Sequence, residues 1–231
     1  MGVGSGGGGG VGSGGNGGVG SGDGGGGVGS GGPGGVSNEE FAMARVVIPD
    51  PSMRRSDLGA LHPTFRESVV QLLASFQQEE LPFQLYEGFR TPQRQAWLYQ
   101  QGRTRPGSII TESDAWGSYH QYGLAADFVL WVNGAWTWST LGVNESRWKR
   151  LRDLGKSAGL EPRGSELPHL QVAGLDLKKL QTGKFPPGGD DSWQDNLEAA
   201  AISWKGKPPA PPVTSARPAL SPIPARPARK R

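Results

Sequence analysis

The 231-residue chain contains no cysteine and only three histidines. Without cysteine there is neither a disulfide framework nor a thiolate metal ligand, so a bound metal would depend on His, Asp and Glu. Long apolar runs are also missing, and no stretch approaches the ~20 apolar residues that a membrane-spanning helix needs. The N-terminus has no basic segment followed by an apolar run, so the sequence predicts neither a signal peptide nor a membrane anchor.

Glycine and proline are distributed unevenly and divide the chain into three parts. Of the 39 glycines, 23 lie in residues 1–35. Such a stretch cannot bury enough apolar surface to offset the entropy of ordering, so we predict a disordered leader over residues 1–40. Prolines recur beside Ala and Arg in residues 205–231, which predicts a disordered tail. Residues 41–204 hold nearly all the large apolar side chains and predict one folded domain.

The predicted tail is basic. It has seven Lys and Arg residues and no acid, whereas residues 1–204 have 17 basic and 21 acidic residues, so the formal charge of +3 at pH 7 comes from the tail. A short cationic tail suits an anionic polymer of the cell envelope, and a merely solubilising role is an equal alternative. We expect no specific nucleic-acid partner, and we expect a monomer.

Apolar periodicity in the central part predicts an α+β fold, with helices on a mostly antiparallel sheet. Thr91 followed by Pro92 predicts the start of a helix. Asn133-Gly134 is a strong hairpin signal, and it places Asp127 inside a strand. The predicted helices are 63–79, 92–101, 145–158 and 192–204, and the predicted strands are 83–87, the hairpin 123–138 and 168–172.

Two of the three histidines lie in polar motifs that suit a metal, His120 in SYHQYGLAAD and His169 in ELPHLQ. Catalytic zinc is held by three protein ligands, commonly imidazole and carboxylate, with a fourth position open to water. His120, Asp127 and His169 would supply that set around one zinc ion. Glu166 comes three residues before His169, where its carboxylate could take a proton from water without binding the metal.

Together these motifs resemble a known family. SxHxxGxAxD, followed some forty residues later by ExPHxQ and preceded by GFRTPQRQ, is similar to bacterial D-alanyl-D-alanine carboxypeptidases and phage L-alanyl-D-glutamate endopeptidases, the VanY-like zinc peptidases. The resemblance covers about residues 60–185 and implies a DD-peptidase/hedgehog-like zinc peptidase fold. It also implies that His120, Asp127 and His169 bind zinc and that Glu166 is the catalytic base.

Further residues gain roles through the same resemblance. Arg90 matches the family's strand-end arginine, which implies a fixed cation that holds the scissile carbonyl and stabilises its developing oxyanion. Gln95 and Ser118 match positions that contact substrate or support the ligands, and we also expect Tyr119 in substrate binding.

Residues outside the motifs receive simpler interpretations. His62 has no carboxylate or motif around it, so we expect it to cap a helix or to lie on the surface. Most of the tryptophans are expected in the core, because a Trp within a strand or helix usually packs there. Trp116 is the exception, and we expect it near the site.

The implied function is hydrolysis of peptide bonds in the peptidoglycan stem peptide, as in an endolysin-type L-alanyl-D-glutamate endopeptidase. A D-alanyl-D-alanine carboxypeptidase has the same metal site and stays an alternative. A non-catalytic cell-wall-binding module that keeps zinc is a rival, although Glu166 and Arg90 argue against it. With no signal peptide, we expect the protein to reach the periplasm or cell wall by phage-type lysis or by a dedicated export system.

Overall fold

A computed structural model of the protein describes residues 50–164 and 166–213. The helices are α1 (Pro63–Gln78), α2 (Pro92–Gln100), α3 (Val143–Ser157), α4 (Leu177–Gln181) and α5 (Asp191–Ser203). The strands are β1 (Phe83–Glu87), β2 (Ala125–Val132), β3 (Ala135–Thr137), β4 (Leu160–Pro162) and β5 (His169–Val172). Short 3-10 turns are formed by Leu58–Ala60 and Tyr119–Tyr122. In this part of the chain no helix combines the length and the apolar character needed to cross a membrane.

β2 lies at the centre of an antiparallel sheet with the order β1-β2-β5-β4, and β3 pairs with the outer part of β2. Because side chains alternate along a strand, Phe128 and Leu130 of β2 join the buried core while Asp127 and Trp131 point to the other face. Phe76 of α1 packs edge-on against Phe128, with ring centroids 5.7 Å apart. The predicted α+β fold with a mostly antiparallel sheet is confirmed.

The connection between β2 and β3 follows from its sequence. Asn133 and Gly134 have φ values of 53° and 77°. Two left-handed residues in succession make the tight hairpin whose twist suits the flanking strands, and Asn-Gly is the pair that adopts it most readily. Asp127 accordingly lies inside β2, as predicted.

β1 contains an irregularity that strict alternation does not predict. Phe83 and Leu85 pair with core-facing residues of β2, but the register shifts between Leu85 and Glu87, so that Glu87 pairs with Asp127. The shift is a β-bulge at Tyr86, and such bulges redirect side chains beside functional sites. Glu87 is therefore brought to the face of the sheet that carries Asp127.

Some predicted boundaries differ from the structure. β4 was not predicted, because three residues carry too little periodicity to be recognised. The leader 1–40 lies outside the described residues, as does the tail beyond Val213. Residues 205–213 form no helix or strand, yet Ala210 and Val213 pack against the core.

The prediction that His62 caps a helix or lies on the surface is wrong. His62 occupies the N-cap position of α1, but its side chain makes no capping hydrogen bond and is 1% exposed. The ring packs edge-on against Trp193 of α5, with centroids 4.7 Å apart. Within the described part of the chain, neither ring nitrogen makes a well-formed hydrogen bond, although the backbone of Pro186 is close enough to affect the pKa of the ring. His62 is thus a core histidine, kept neutral by its surroundings.

Replacing His62 with Phe is expected to make folding less sensitive to acid. Burial lowers the pKa of His62, and the backbone of Pro186 and the charge of Asp190 offset only part of that effect. Below the ordinary histidine pKa of ~6.5 the unfolded chain therefore binds a proton that the folded chain resists, and stability falls as pH falls. Between pH 7.0 and 5.5, the free energy of unfolding measured with urea should fall by up to about 1 kcal/mol more for wild type than for His62→Phe. Equal losses in both proteins would contradict a buried neutral His62.

Candidate metal centre

The three predicted ligands meet where the 3-10 turn, β2 and β5 adjoin. His120 lies on the turn Tyr119–Tyr122, which ends at Gly123 with φ 66°. A Cβ at Gly123 would lie 2.7 Å from the Ala60 carbonyl oxygen, so glycine is required both by the backbone and by the close packing. Asp127 of β2 pairs directly with His169 of β5 in the ladder. Strand pairing and one tight turn therefore bring the three side chains together.

The ligand atoms form a compact triangle. His120 Nε2 lies 3.2 Å from His169 Nδ1 and 3.4 Å from Asp127 Oδ2, and His169 Nδ1 lies 3.3 Å from Asp127 Oδ1. Tetrahedral zinc with bonds of ~2.0–2.1 Å holds its ligand atoms about 3.3–3.4 Å apart. The three observed separations match that geometry, although the two distances to Asp127 use different carboxylate oxygens.

The hydrogen bond at the far side of His120 fixes its tautomer. His120 Nδ1 lies 2.7 Å from the Gly88 carbonyl oxygen, which can only accept, so Nδ1 carries the proton. Nε2 is then the nitrogen with a free lone pair, and it is the one that faces the other two ligands. A backbone carbonyl in this position is the usual orienting partner of a metal-binding histidine.

A longer chain of hydrogen bonds does the same for His169. The Gln171 amide nitrogen donates to Glu161 Oε1 at 2.8 Å, which turns the amide oxygen toward His169. That oxygen lies 3.0 Å from His169 Nε2, so Nε2 donates and the lone pair of Nδ1 points into the centre. Both imidazoles are thus oriented so that one ring nitrogen of each faces the centre.

The charges around the site favour the same protonation states. Burial lowers the pKa of His120, and the nearby guanidinium of Arg90 lowers it further. Burial alone would raise the pKa of Asp127, but the guanidinium of Arg90, bonded to its carboxylate, helps to hold that pKa well below its ordinary value. At neutral pH the site therefore presents a neutral His120 beside an ionised carboxylate, the states in which these groups bind metal.

Arg90 anchors the carboxylate side of the centre. Its Nη2 donates to Asp127 Oδ2 at 2.8 Å and to Glu87 Oε2 at 2.8 Å, and its Nε donates to the same Glu87 oxygen at 3.0 Å. Its Nη1 donates to Gln95 Oε1 at 3.0 Å. Burial lowers the pKa of Arg90, but the charges of Glu87 and Asp127 more than reverse this, so the guanidinium stays charged. Of its five N–H groups, one on Nη1 has no acceptor among the described residues.

A cleft of about 700 Å³ opens over the three ligands. Glu166, Arg90 and Ser118 line it together with the triad. The Glu166 side chain is 56% exposed, and its Oε1 lies 3.8 Å from Arg163 Nε. A carboxylate that is exposed in the cleft of the triad is accessible to water and to a bound substrate.

Three predicted residues are not part of the lining of this cleft. Gln95 is fully buried, and besides accepting from Arg90 it donates to the Ser113 carbonyl at 2.6 Å, so it supports Arg90. Tyr119 donates its hydroxyl to the Leu175 carbonyl at 2.7 Å. Trp116 is 1% exposed and packs in the core against Tyr122. Neither Tyr119 nor Trp116 is among the residues that line the cleft.

Comparison with known proteins supplies the family. No family model matches the chain. The peptidoglycan L-alanyl-D-glutamate endopeptidase CwlK of Bacillus subtilis (strain 168) is 33% identical over 122 residues, which span 48% of this chain and 73% of CwlK. The chain belongs to the CwlK family of zinc peptidoglycan peptidases.

Solved structures with a partial likeness carry related names. The L,D-carboxypeptidase DacB of Streptococcus pneumoniae is 24% identical with a TM-score of 0.40, covering 52% of this chain and 71% of DacB. The L-Ala D-Glu endopeptidase ChiX of Serratia marcescens is 19% identical with a TM-score of 0.36, covering 54% and 89%. The family assignment is based on CwlK.

The residues present fit the zinc on which this family depends. In the absence of a cation, two imidazole lone pairs and a carboxylate would face one another at 3.2–3.4 Å, an arrangement that is electrostatically unfavourable. His and Asp are ordinary zinc ligands, and the hydrogen bonds behind both histidines free the correct nitrogens. This centre could therefore hold one zinc ion through His120, Asp127 and His169.

Motif reasoning did not identify the residues that position the ligands in this family member. Glu87 and Glu161 lie outside the motifs, while Arg94 lies in GFRTPQRQ and Gln171 in ExPHxQ, where neither was given a role. Glu87 is 1% exposed and accepts from Arg90 through one carboxylate oxygen and from Arg94 Nε through the other. A buried glutamate in the sequence EGFRTPQR, with arginines three and seven residues later, is the signal that was available.

Replacing Glu87 with Gln is expected to destabilise the fold strongly. It leaves the buried Arg90 and Arg94 without their shared counter-charge, and breaking a buried ion pair in this way costs about 3 kcal/mol or more. Glu79→Gln is the matched control, because Glu79 pairs with Arg150 at the surface and surface pairs contribute little. Urea unfolding of both variants at pH 7 tests this. A Glu87→Gln protein as stable as Glu79→Gln would contradict the structural role of Glu87.

Proposed function

We propose that this protein is a zinc-dependent endopeptidase that hydrolyses the L-alanyl-D-glutamate bond of the peptidoglycan stem peptide. The observation that carries the proposal is the triangle of His120, Asp127 and His169 at zinc-ligand spacing, in a chain 33% identical to CwlK. The cleft over the triangle, with the exposed carboxylate of Glu166 in its lining, supports catalysis rather than wall binding alone. A purely structural zinc site has four protein ligands and needs neither an open cleft nor a carboxylate beside the metal.

When bound, zinc polarises the scissile carbonyl and makes the attacking water more acidic. Glu166 faces the same cleft, accepts the proton of that water and returns it to the leaving amine. Arg90 keeps Asp127 ionised and oriented through the bond between Nη2 and Oδ2. Its remaining Nη1 hydrogen is available to a substrate oxygen on which negative charge develops. Ser118, which also lines the cleft, contacts the substrate backbone.

The test is a digest of purified peptidoglycan. Full-length protein loaded with one equivalent of zinc should release new amino termini, and mass spectrometry should find stems separated after L-Ala, with D-Glu as the new N-terminal residue. Removal of a single terminal D-Ala would instead establish a carboxypeptidase. Wall binding without either product would contradict enzymatic function, provided that zinc content and fold are intact.

A further inference from the structure

An exposed aromatic surface continues from the cleft onto the β2–β3 hairpin. We define the hairpin patch as Tyr86, Trp131, Trp136 and Trp138. The three tryptophans are 43%, 47% and 46% exposed, respectively, so the expectation that they pack in the core is wrong. Tyr86 packs edge-on against Trp136 and Trp138, with centroids 5.5 and 4.8 Å away. Exposed aromatic side chains that form a contiguous patch usually belong to a binding surface, unlike exposed apolar side chains that are scattered singly.

The patch and the candidate metal centre share one face of the sheet. Asp127 and Trp131 point the same way because they are four residues apart in β2. At about 3.4 Å per residue, Trp131 lies roughly 14 Å along β2 from Asp127. Tyr86 and Trp138 line the cleft itself, so the patch is continuous with the place where a stem peptide would bind.

The rings are held in place before any ligand arrives. Trp136 pairs with Trp131 across the hairpin, and its indole nitrogen donates to Gln84 Oε1 at 3.1 Å. The Arg54 guanidinium lies over Tyr86 and Trp136, 4.1 and 4.4 Å from their centroids. Fixed aromatic rings lose little entropy on binding, which makes them efficient contact surfaces.

We propose that the hairpin patch binds the amino-sugar backbone of peptidoglycan, a subsite that rests on the proposed endopeptidase function. The faces of pyranose rings carry C–H groups that pack on aromatic rings, while their hydroxyls stay at the edge for polar partners such as Arg54 and Gln84. In the stem peptide, L-Ala is joined to the sugar through a short lactyl link. The sugar therefore lies about 7 Å from the L-Ala carbonyl, two residue lengths away, which reaches the cleft end of the patch.

The experiment compares two substrates with full-length, zinc-loaded protein. One is a disaccharide-tetrapeptide muropeptide, and the other is the same tetrapeptide without sugar. Trp136 is outside the cleft lining, so Trp136→Ala should raise KM for the muropeptide about tenfold, the effect of losing one aromatic contact. Its kcat/KM for the free peptide should stay within about twofold of wild type. Trp136→Phe should recover most of the loss, and Ile202→Ala, an exposed apolar change on α5, is the control.

The outcomes separate this proposal from the proposed function. If wild type cleaves neither substrate, the endopeptidase function fails. If wild type cleaves both and Trp136→Ala matches it on both, the sugar subsite is refuted while the function stands. Equal losses of kcat/KM on both substrates in Trp136→Ala would also refute the sugar subsite, because the patch would then affect binding of the peptide or the fold. Circular dichroism and zinc content establish that each variant is folded and loaded.

Discussion

Glu166→Gln is expected to lower kcat on muropeptide by about 10³-fold while the protein keeps one zinc ion per chain, because general base catalysis contributes 10²–10⁴. Glutamine keeps the size of the side chain and removes only its ability to take a proton. Since Glu166 is exposed and is outside the ligand triangle, neither the fold nor the metal affinity should change. Steady-state kinetics with metal analysis of the same preparation tests both halves of this expectation.

The cleft offers a matched control for that variant. Glu112 also lines it, and its side chain is 82% exposed and paired with Arg103. Glu112→Gln removes the same charge from the same cleft without touching the proposed base. Its kcat should stay close to wild type. If Glu112→Gln lost activity and Glu166→Gln did not, the assignment of the base would be wrong.

The convergence of His120, Asp127 and His169 was predictable from the sequence because much of the geometry is locally encoded. Asp127 could be placed in a strand from the Asn133-Gly134 hairpin signal, and Gly123 marked the reversal that brings His120 back toward that strand. The pairing of Asp127 with His169 then follows from antiparallel neighbours. Each of these steps depends on a few adjacent residues, which is why the convergence of the three side chains could be predicted from the sequence.

The groups behind the ligands could not be predicted in the same way. Glu87 reaches Arg90 and Asp127 only because β1 has a bulge at Tyr86, and strict alternation would have turned it toward the core. Gln171 orients His169 only through Glu161, which belongs to the three-residue strand β4. Such contacts depend on which residues of separate strands lie opposite each other, and a single sequence does not determine that pairing.

His62 and Trp116 show a related difficulty. Both were assigned by the residues next to them in sequence, His62 to a cap or the surface and Trp116 to the neighbourhood of the site. The structure buries both, since His62 packs on Trp193 and Trp116 packs on Tyr122. Burial depends on which distant element covers a position, so neither assignment had the information it needed.

His169→Ala is expected to abolish both zinc binding and hydrolysis. The variant removes one of the three proposed ligand atoms and leaves only His120 and Asp127. Losing a residue that merely orients a ligand lowers metal affinity by up to roughly 100-fold, and losing a ligand should lower it further. The stabilisation that zinc gives to the folded state should vanish with it. Thermal melting with and without a chelator should therefore show a difference for wild type and none for the variant.

His62→Phe provides the control of the same residue type, because it removes the histidine outside the centre and should retain one zinc ion and full chelator sensitivity. A His169→Ala protein that still holds one equivalent of zinc would contradict the ligand assignment. The assignment would also be contradicted if a chelator left the melting temperature of wild type unchanged and wild type stayed active after dialysis against the chelator. Because the three ligand atoms are 3.2–3.4 Å apart, the physical expectation is that the two histidines and Asp127 bind one ion as a unit and that losing any one of them loses the metal.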